Sequence, residues 1–439
     1  MSWLTATLFR RDATIGMIGL GYVGLPLSLA FTEAGYDVAG FDIDAERVAR
    51  LQDGDSYVDD VSDEALLDAL KAGFTPSDDP ASVAGCEAYV IAVPTGFENG
   101  EPAMEAVEAA ARTVSEQAGP HETLVVVSST VYPGATNDVV SPIVTADRPA
   151  DRTRVAMVPE RLNPGSDHTF GDIPLVVGAN DSQSRHAARA LFSQVVAEVV
   201  PVDSTETAEL SKTLENTYRM MNIALVNQLV GLAEQLDGDI WAAIEAADTK
   251  PFGFQAFEPG PGVGGHCVPV DPQFLTWRGK QVGTELSFID HAHRINESMP
   301  NQVVDSVTNA LRARGVDPEN ATVLLLGAAY KPNVADPRNA PAIEVFNILS
   351  KTTDTTLVDP HVDPEEAGIP IQQSVTNEEL RTADAVVLLV EHDSFDLSRV
   401  GQQAQFVFDT RNAMPTSTEA TVLTLGQTVQ SPKSPSARR

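Results

Sequence analysis

Lysine and cysteine are the scarce residues of this 439-residue chain, and each scarcity excludes something. Only 29 Lys and Arg, seven of them Lys, stand against 62 Asp and Glu, a formal net charge of −33. A field of that sign repels phosphate backbones, so no nucleic-acid partner is expected. Charged residues make up only 21% of the chain, so the imbalance comes from missing bases rather than from one acidic tail. Acid-rich, lysine-poor surfaces suit concentrated salt, where screening removes self-repulsion, and a halophilic source is expected. Two cysteines, Cys86 and Cys267, exclude a disulfide framework and leave room for a chemical thiol. No run of about 18 apolar residues is present, which excludes a transmembrane helix. The first thirteen residues place their apolar part ahead of Arg10 and Arg11, the reverse of a secretory leader. A cytoplasmic protein without membrane insertion is expected.

The length implies two or three domains. Strand-like runs at 13–20, 37–42, 88–94, 124–129, 154–159 and 175–178 alternate with helical patterns, which predicts a parallel sheet with crossover helices. From residue 205 the pattern changes. Leu210, Leu214, Tyr218, Met221, Leu225, Leu229, Leu232 and Leu236 recur at spacings of three and four, which predicts one long helix over 205–237 with a continuous apolar stripe. A Gly/Pro-rich loop fills 250–272, and βα alternation resumes at 321–330, 356–359, 385–390 and 405–409. The expected fold is α/β: two Rossmann-like doubly wound domains, 1–203 and 311–439, joined by a central helical domain, 204–310. The Ser/Pro-rich, basic end at 430–439 reads as a frayed tail.

The first strand runs into Gly19-Leu-Gly21-Tyr-Val-Gly24. A lone GxGxxG is weak evidence, but here a strand precedes it, a helix follows at 25–33, and a second strand ends in Asp42. Gly19 makes the tight turn, Gly21 lets a pyrophosphate approach the backbone, and Gly24 lets helix and sheet pack. The helix N-terminus favours the diphosphate. Asp42 would accept from the adenosine ribose hydroxyls and repel a 2′-phosphate, favouring NAD over NADP; Arg47 lies close enough to blur that preference.

The segment Phe257-Glu-Pro-Gly-Pro-Gly-Val-Gly-Gly-His-Cys-Val-Pro-Val-Asp-Pro272 is the most informative. Core cysteines rarely sit in loops so dense in Gly and Pro. A thiolate there can attack an aldehyde and hold a thiohemiacetal for a second hydride transfer. Asp271 follows four residues later, one turn away if a helix starts there. Cys86, at the start of a strand, reads as structural. His266 has no partner at ligand spacing, and no metal is expected. On the long helix, Lys212 is the only lysine between Lys71 and Lys250, and Asn216 follows on the same face. A cation and an amide suit a developing alkoxide or oxyanion.

With these segments in view, the chain resembles the UDP-glucose/UDP-N-acetylhexosamine 6-dehydrogenase family over about residues 14–414. The matching motifs are 19–26, Ala92-Val-Pro-Thr95, Ser129-Thr-Val-Tyr-Pro-Gly134, Pro159-Glu-Arg-Leu162, Ala208-Glu-Leu-Ser-Lys-Thr-Leu-Glu-Asn216, 260–272, Gly327-Ala-Ala-Tyr-Lys-Pro332 and Phe408-Asp-Thr-Arg411. Their joint order is specific to that family. The resemblance implies a four-electron oxidation with two NAD and a homodimer built on the long helix. It assigns NAD binding to 1–203, dimerisation and the cysteine loop to 204–310, and UDP-sugar binding to 311–439. Cys267 would form the thiohemiacetal and thioester, Lys212 and Asn216 would stabilise oxygen anions, and Asp271 would assist proton removal. Glu160 would direct hydrolysis, with Thr130 helping to hold the water. Cofactor contacts are implied for Gly19, Leu20, Gly21, Tyr22, Val23, Gly24, Asp42, Arg47, Pro94, Thr95 and Arg338. Substrate contacts are implied for Arg161, Leu162, Lys250, Phe257, Gly264, Tyr330, Lys331 and Arg411.

Several positions depart from the glucose branch of the family. His266 precedes the cysteine where Ser is typical, and Pro164 stands where a second acid is common after Glu160. Gly96 replaces a second Pro after Thr95. The approach Lys250-Pro-Phe-Gly-Phe254 resembles the N-acetylglucosamine enzymes more than the mannosamine ones, with Phe252, Phe254 and Phe257 as candidate walls. UDP-N-acetylglucosamine is therefore favoured, UDP-N-acetylmannosamine is next, and UDP-glucose is a third alternative. An inactive nucleotide-sugar-binding protein is the alternative from another class, opposed by the joint presence of Cys267, Lys212, Asn216, Asp271 and Glu160.

Overall fold

The computed structural model describes residues 2–58, 60–161, 170–236 and 238–428. Leu162, Pro164 and the Ser/Pro-rich tail lie outside the described residues. The chain forms two compact units. One comprises Met1–Glu215 with Gln273–Glu285, the other Asn216–Pro272 with Leu286–Arg439.

The first unit contains β1 (Thr14–Ile18), β2 (Asp37–Phe41), β3 (Phe74–Ser77), β4 (Ala88–Ile91), a small hairpin of β5 (Gly96–Glu98) and β6 (Glu101–Ala103), β7 (Thr123–Val127), β8 (Thr153–Met157), β9 (Leu175–Gly178) and β10 (Val199–Val202). Eight of these make one sheet in the order β10-β9-β8-β7-β4-β1-β2-β3. Every neighbouring pair is parallel except β8 and β9. Crossover helices bury both faces, so the central strands are apolar throughout; Ala88, Tyr89, Val90 and Ile91 are all inaccessible. The strand order reverses between β1 and β4, and in open α/β sheets ligands bind at such a reversal.

The outermost strands were not legible as strands. β3 carries Pro76 and β10 carries Pro201. Proline cannot donate to a ladder and is tolerated only where one side of the strand is unpaired. Sequence patterning also missed a helix at Trp3–Arg10. Ser2 caps it by accepting from the Thr5 amide at 3.2 Å, and Leu4 and Leu8 are fully buried beneath it.

The second unit holds a five-stranded, all-parallel sheet of β11 (Thr322–Leu326), β12 (Asp354–Val358), β13 (Ala385–Leu388), β14 (Phe406–Asp409) and β15 (Thr421–Thr424), ordered β12-β11-β13-β14-β15. Its reversal falls between β11 and β13. The helix Ser287–Ala313 packs on it through Met299, Val303, Val307 and Leu311, each four residues apart. The fold is thus two Rossmann-like parallel sheets with a central helical region.

The long helix spans Thr205–Leu236, with residues to Glu215 in the first unit and the rest in the second. Its burial runs opposite to ordinary amphipathic packing. Leu214, Leu225, Leu232 and Leu236 are 58%, 56%, 52% and 70% exposed, whereas Glu209, Thr213, Asn216 and Asn227 are buried. Among the described residues no helix is long and apolar enough to cross a membrane.

Candidate active site

In the first unit, the loop after β1 makes a dinucleotide cradle. A Cβ on Gly24 would lie 1.9 Å from the Gly19 carbonyl oxygen, so only glycine lets the helix Gly24–Glu33 start so close to the strand. A Cβ on Gly21 would meet nothing within 4 Å, which leaves that backbone open to a ligand. Asp42 closes the far side. Its Oδ2 accepts from the Leu20 amide at 2.7 Å and its Oδ1 from the Asp44 amide at 3.0 Å. Each carboxylate oxygen has two lone pairs, so acceptor capacity is left for ribose hydroxyls. Tyr57 donates to the Leu20 carbonyl at 2.5 Å and bolts the loop from the other side. Arg47 is engaged away from Asp42, paired with Asp44 at 3.3 Å and 5.5 Å from the centre of the Tyr57 ring. Tyr22 is exposed, Val23 partly buried and Pro94 exposed. These residues fit NAD.

The β4 and β7 ends meet beside that cradle. Thr95 donates to the Thr130 carbonyl at 2.7 Å, and Ser129 donates to the Val93 carbonyl at 2.7 Å. Glu209 then ties the turn after Thr130 to the long helix: its carboxyl accepts from the Gly134 amide at 2.5 Å and the Thr136 amide at 2.8 Å. Glu209 is wholly inaccessible, and burial pushes its carboxyl up against the opposing hydrogen bonds from Thr136 and Gly134. Sequence reasoning missed Glu209, although it lies three residues before Lys212 in the same motif. Lys212 itself is 7% exposed, so it is not a solvated surface cation. Glu160 follows β8 and is partly buried. Next to it Arg161 pairs with Glu215 at 2.8 Å and donates to the Pro174 carbonyl at 2.6 Å.

In the second unit, Asn216 donates to Asp271 Oδ2 at 2.5 Å in a fully enclosed contact. The helix Asp271–Gln281 begins at Asp271, whose amide donates to the Cys267 carbonyl at 2.9 Å, so the expected one-turn relation is present. Cys267 is exposed. The other cysteine, Cys86, is buried, and that burial pushes its thiol up to about 12, which leaves it without a nucleophilic thiolate near neutrality. The cysteine loop rests on the segment after β11. The Gly265 amide donates to the Arg338 carbonyl at 3.0 Å, Asn339 donates back to the Gly265 carbonyl at 3.1 Å, and Gly264 lies against Tyr330 and Asn339.

Tyr330 and Lys331 follow β11; the Lys331 ammonium is 5.6 Å from the Tyr330 ring centre. Arg338 makes a two-pronged pair with Asp336, at 2.6 Å through Nη2. Arg411 donates to the Leu389 carbonyl at 2.7 Å and pairs with Glu391 at 3.3 Å; burial lowers its pKa, and Glu391, Glu258 and Asp409 oppose that. Gly260 approaches the same guanidinium, so Arg411 adjoins the cysteine loop. Phe257 packs edge-on to Tyr218 at 5.9 Å and against the Trp241 cluster, whereas Lys250 is exposed above Phe252. His266 is partly buried, and among the described residues no group of three or more His, Cys, Asp or Glu is placed to hold a metal.

The chain matches three models of the UDP-glucose/GDP-mannose dehydrogenase family: the NAD binding domain over residues 13–196, the central domain over 206–298 and the UDP binding domain over 324–416. It is 32% identical to UDP-N-acetyl-D-glucosamine 6-dehydrogenase of Salmonella typhi, covering 92% of this chain and 97% of that one. It is 31% identical to UDP-N-acetyl-D-mannosamine dehydrogenase of Pyrococcus horikoshii, covering 87% and 90%. The solved UDP-D-ManNAc dehydrogenase structure from Pyrococcus horikoshii superposes with a TM-score of 0.85 at 29% identity, over 94% of this chain and 99% of that chain.

Proposed function

The chain belongs to the UDP-glucose/GDP-mannose dehydrogenase family and is an NAD-dependent nucleotide-sugar dehydrogenase, and from that premise we propose that it oxidises the C6 hydroxyl of a UDP-N-acetylhexosamine to the carboxylate through a thioester on Cys267. The observation that carries this reading is the enclosed Asn216–Asp271 hydrogen bond one turn after Cys267, with Lys212 buried one turn earlier on the same helix. Buried polar groups are costly to hold without hydrogen-bond partners, and a cation, an amide and a carboxylate gathered in this way mark functional sites.

The loop 19–24 and Asp42 would hold NAD, and two NAD bound in turn would each accept one hydride, one for each oxidation. The first oxidation converts the alcohol to an aldehyde. The Cys267 sulfur then forms a bond to the aldehyde carbon, and the oxygen takes up a proton, giving a thiohemiacetal. The second oxidation yields the thioester, and a water hydrolyses it, releasing the carboxylate and restoring the thiol. Lys212 and the Asn216 amide stabilise the negative oxygens along this course, worth about 3 kcal/mol for one well-placed donor. Asp271 orients Asn216 and takes part in proton removal. Glu160 directs the hydrolytic water, which Thr130 helps to hold.

UDP-N-acetylglucosamine is the favoured substrate and its mannosamine epimer the second; the relatives with these two specificities support the class. Lys331, Tyr330, Arg411 and Gly264 face the sugar nucleotide, with Lys250 and Arg161 at its margin and Arg338 toward the cofactor. We assign NAD binding to 1–203, dimerisation and the cysteine loop to 204–310, and UDP-sugar binding to 311–439. The exposed leucines of the long helix make a homodimer, with the two helices packed together. The test is NADH formation with a panel of UDP-sugars. UDP-N-acetylglucosamine should exceed UDP-glucose in kcat/KM by at least about tenfold, or about 1.4 kcal/mol. A preference for UDP-glucose would overturn the sugar assignment.

A further inference from the structure

The reversal of strand order in the second unit lies between β11 and β13, so the loops leaving those strands, 327–333 and 389–395, border the place where an α/β sheet takes its ligand. A buried Asp–His pair sits beneath both loops. Asp359, just past β12, is inaccessible. Its Oδ2 accepts from the amides of Ala328 at 2.6 Å and Ala329 at 3.1 Å, and its Oδ1 from those of His361 at 2.8 Å and Val362 at 3.0 Å. The His392 side chain is likewise inaccessible. Its Nε2 is 3.0 Å from Asp359 Oδ2, and its Nδ1 lies 2.9 Å from the amide nitrogen of Asn333.

An amide N–H can only donate, so Nδ1 must carry its lone pair. The ring is therefore neutral with its proton on Nε2, donated to Asp359. Asn333 has a φ of 60°, and its side chain makes a reciprocal pair with Asp393, both contacts at 2.9 Å. The loop is thus held at its start by Asp359 and at its end by His392, with Tyr330 and Lys331 strung between the two anchors.

We infer that His392 is a positioning residue: in a fixed neutral tautomer, it holds the loop that presents Tyr330 and Lys331 to the nucleotide sugar. The inference rests on the proposed role of that loop in sugar-nucleotide binding. Two substitutions separate the two ring contacts. His392→Gln can keep a donor where Nε2 stands but offers no acceptor to Asn333. His392→Asn keeps an acceptor where Nδ1 stands but gives Asp359 no donor.

Steady-state kinetics with UDP-N-acetylglucosamine and NAD, with Lys331→Ala as the reference variant, test this. His392→Gln should raise the KM for the sugar nucleotide about five- to tenfold, what a lost backbone hydrogen bond is worth. Its kcat and its KM for NAD should stay within about twofold of wild type, a split that a general loss of folded protein would not produce. His392→Asn should give a smaller rise in that KM. If Lys331→Ala raises the KM and His392→Gln does not, the inference is overturned and the binding role of the loop stands. If Lys331→Ala leaves the KM unchanged, the binding role fails and the inference fails with it. Should His392→Gln not fold, nitrogen NMR of the wild-type enzyme with labelled histidine decides: a neutral Nε2–H ring at position 392 supports the inference, and a charged or Nδ1–H ring overturns it.

Discussion

Replacing Leu225 on the long helix should weaken the proposed homodimer. In a single chain this leucine is 56% exposed, between Leu214 at 58% and Leu232 at 52%, on an exposed apolar face of the helix. Fully burying a leucine is worth about 1.5–3 kcal/mol, so covering the remaining half contributes about 1 kcal/mol. A two-fold interface counts every residue twice. Leu225→Ala should therefore weaken association by about 2 kcal/mol, or roughly thirtyfold in the dissociation constant. Leu225→Glu should go further, because it buries two unpaired carboxylates at a cost of several kcal/mol. Sedimentation velocity in molar KCl, where the charge composition expects the fold to persist, measures the mass, and far-ultraviolet circular dichroism checks that the helices remain. A wild-type monomer at micromolar concentration would refute the reasoning, as would a Leu225→Glu protein of undiminished mass.

Glu209→Gln should destabilise the first unit by about 2 kcal/mol, since both carboxyl oxygens accept from amides and an amide side chain must turn one NH2 toward a backbone N–H. Its carboxyl is raised by burial, so its contribution is full below the ordinary value of 4.5 and is lost as pH rises through the folded value. The gap in melting temperature between wild type and Glu209→Gln should therefore narrow from pH 4.5 toward neutrality; a widening gap would reverse the assigned sign. Asp42→Ala should weaken NAD binding and relax discrimination against NADP, because the carboxylate proposed to face the ribose is gone. An unchanged NAD/NADP ratio in kcat/KM would show that Asp42 does not face the ribose.

The parts of the fold that were legible in advance are those where one local signal suffices. The strands β1, β2, β4, β7, β8 and β9 are short apolar runs between turn residues, and each was found within a few residues of its expected place. The helix Thr205–Leu236 was visible from a three-and-four spacing. What stayed hidden depended on partners distant in sequence. β3 and β10 contain prolines that only an edge position permits, and that position is set by the rest of the sheet. The burial of the long helix was hidden too: spacing reveals that a stripe exists, but not that Glu209 and Lys212 lie inward while the leucines lie outward. Around the candidate site, the glycine turn between β1 and the helix Gly24–Glu33, and Asp271 one turn after Cys267, were readable from their motifs. Glu209 and His392 were not, because a carboxyl that accepts from amides more than seventy residues away, or a ring wedged between Asn333 and Asp359, leaves no local pattern.

The proposed covalent role of Cys267 is tested most directly by peptide mass spectrometry of Glu160→Gln after reaction with NAD and UDP-N-acetylglucosamine, with Cys267→Ser run in parallel. Slowed hydrolysis should let a uronoyl thioester accumulate on the Cys267 peptide and leave the Cys86 peptide unmodified, while Cys267→Ser forms neither adduct nor appreciable acid. Acid released by Cys267→Ser at the wild-type rate, with no adduct on Cys267 in Glu160→Gln, would contradict a mechanism through a thioester.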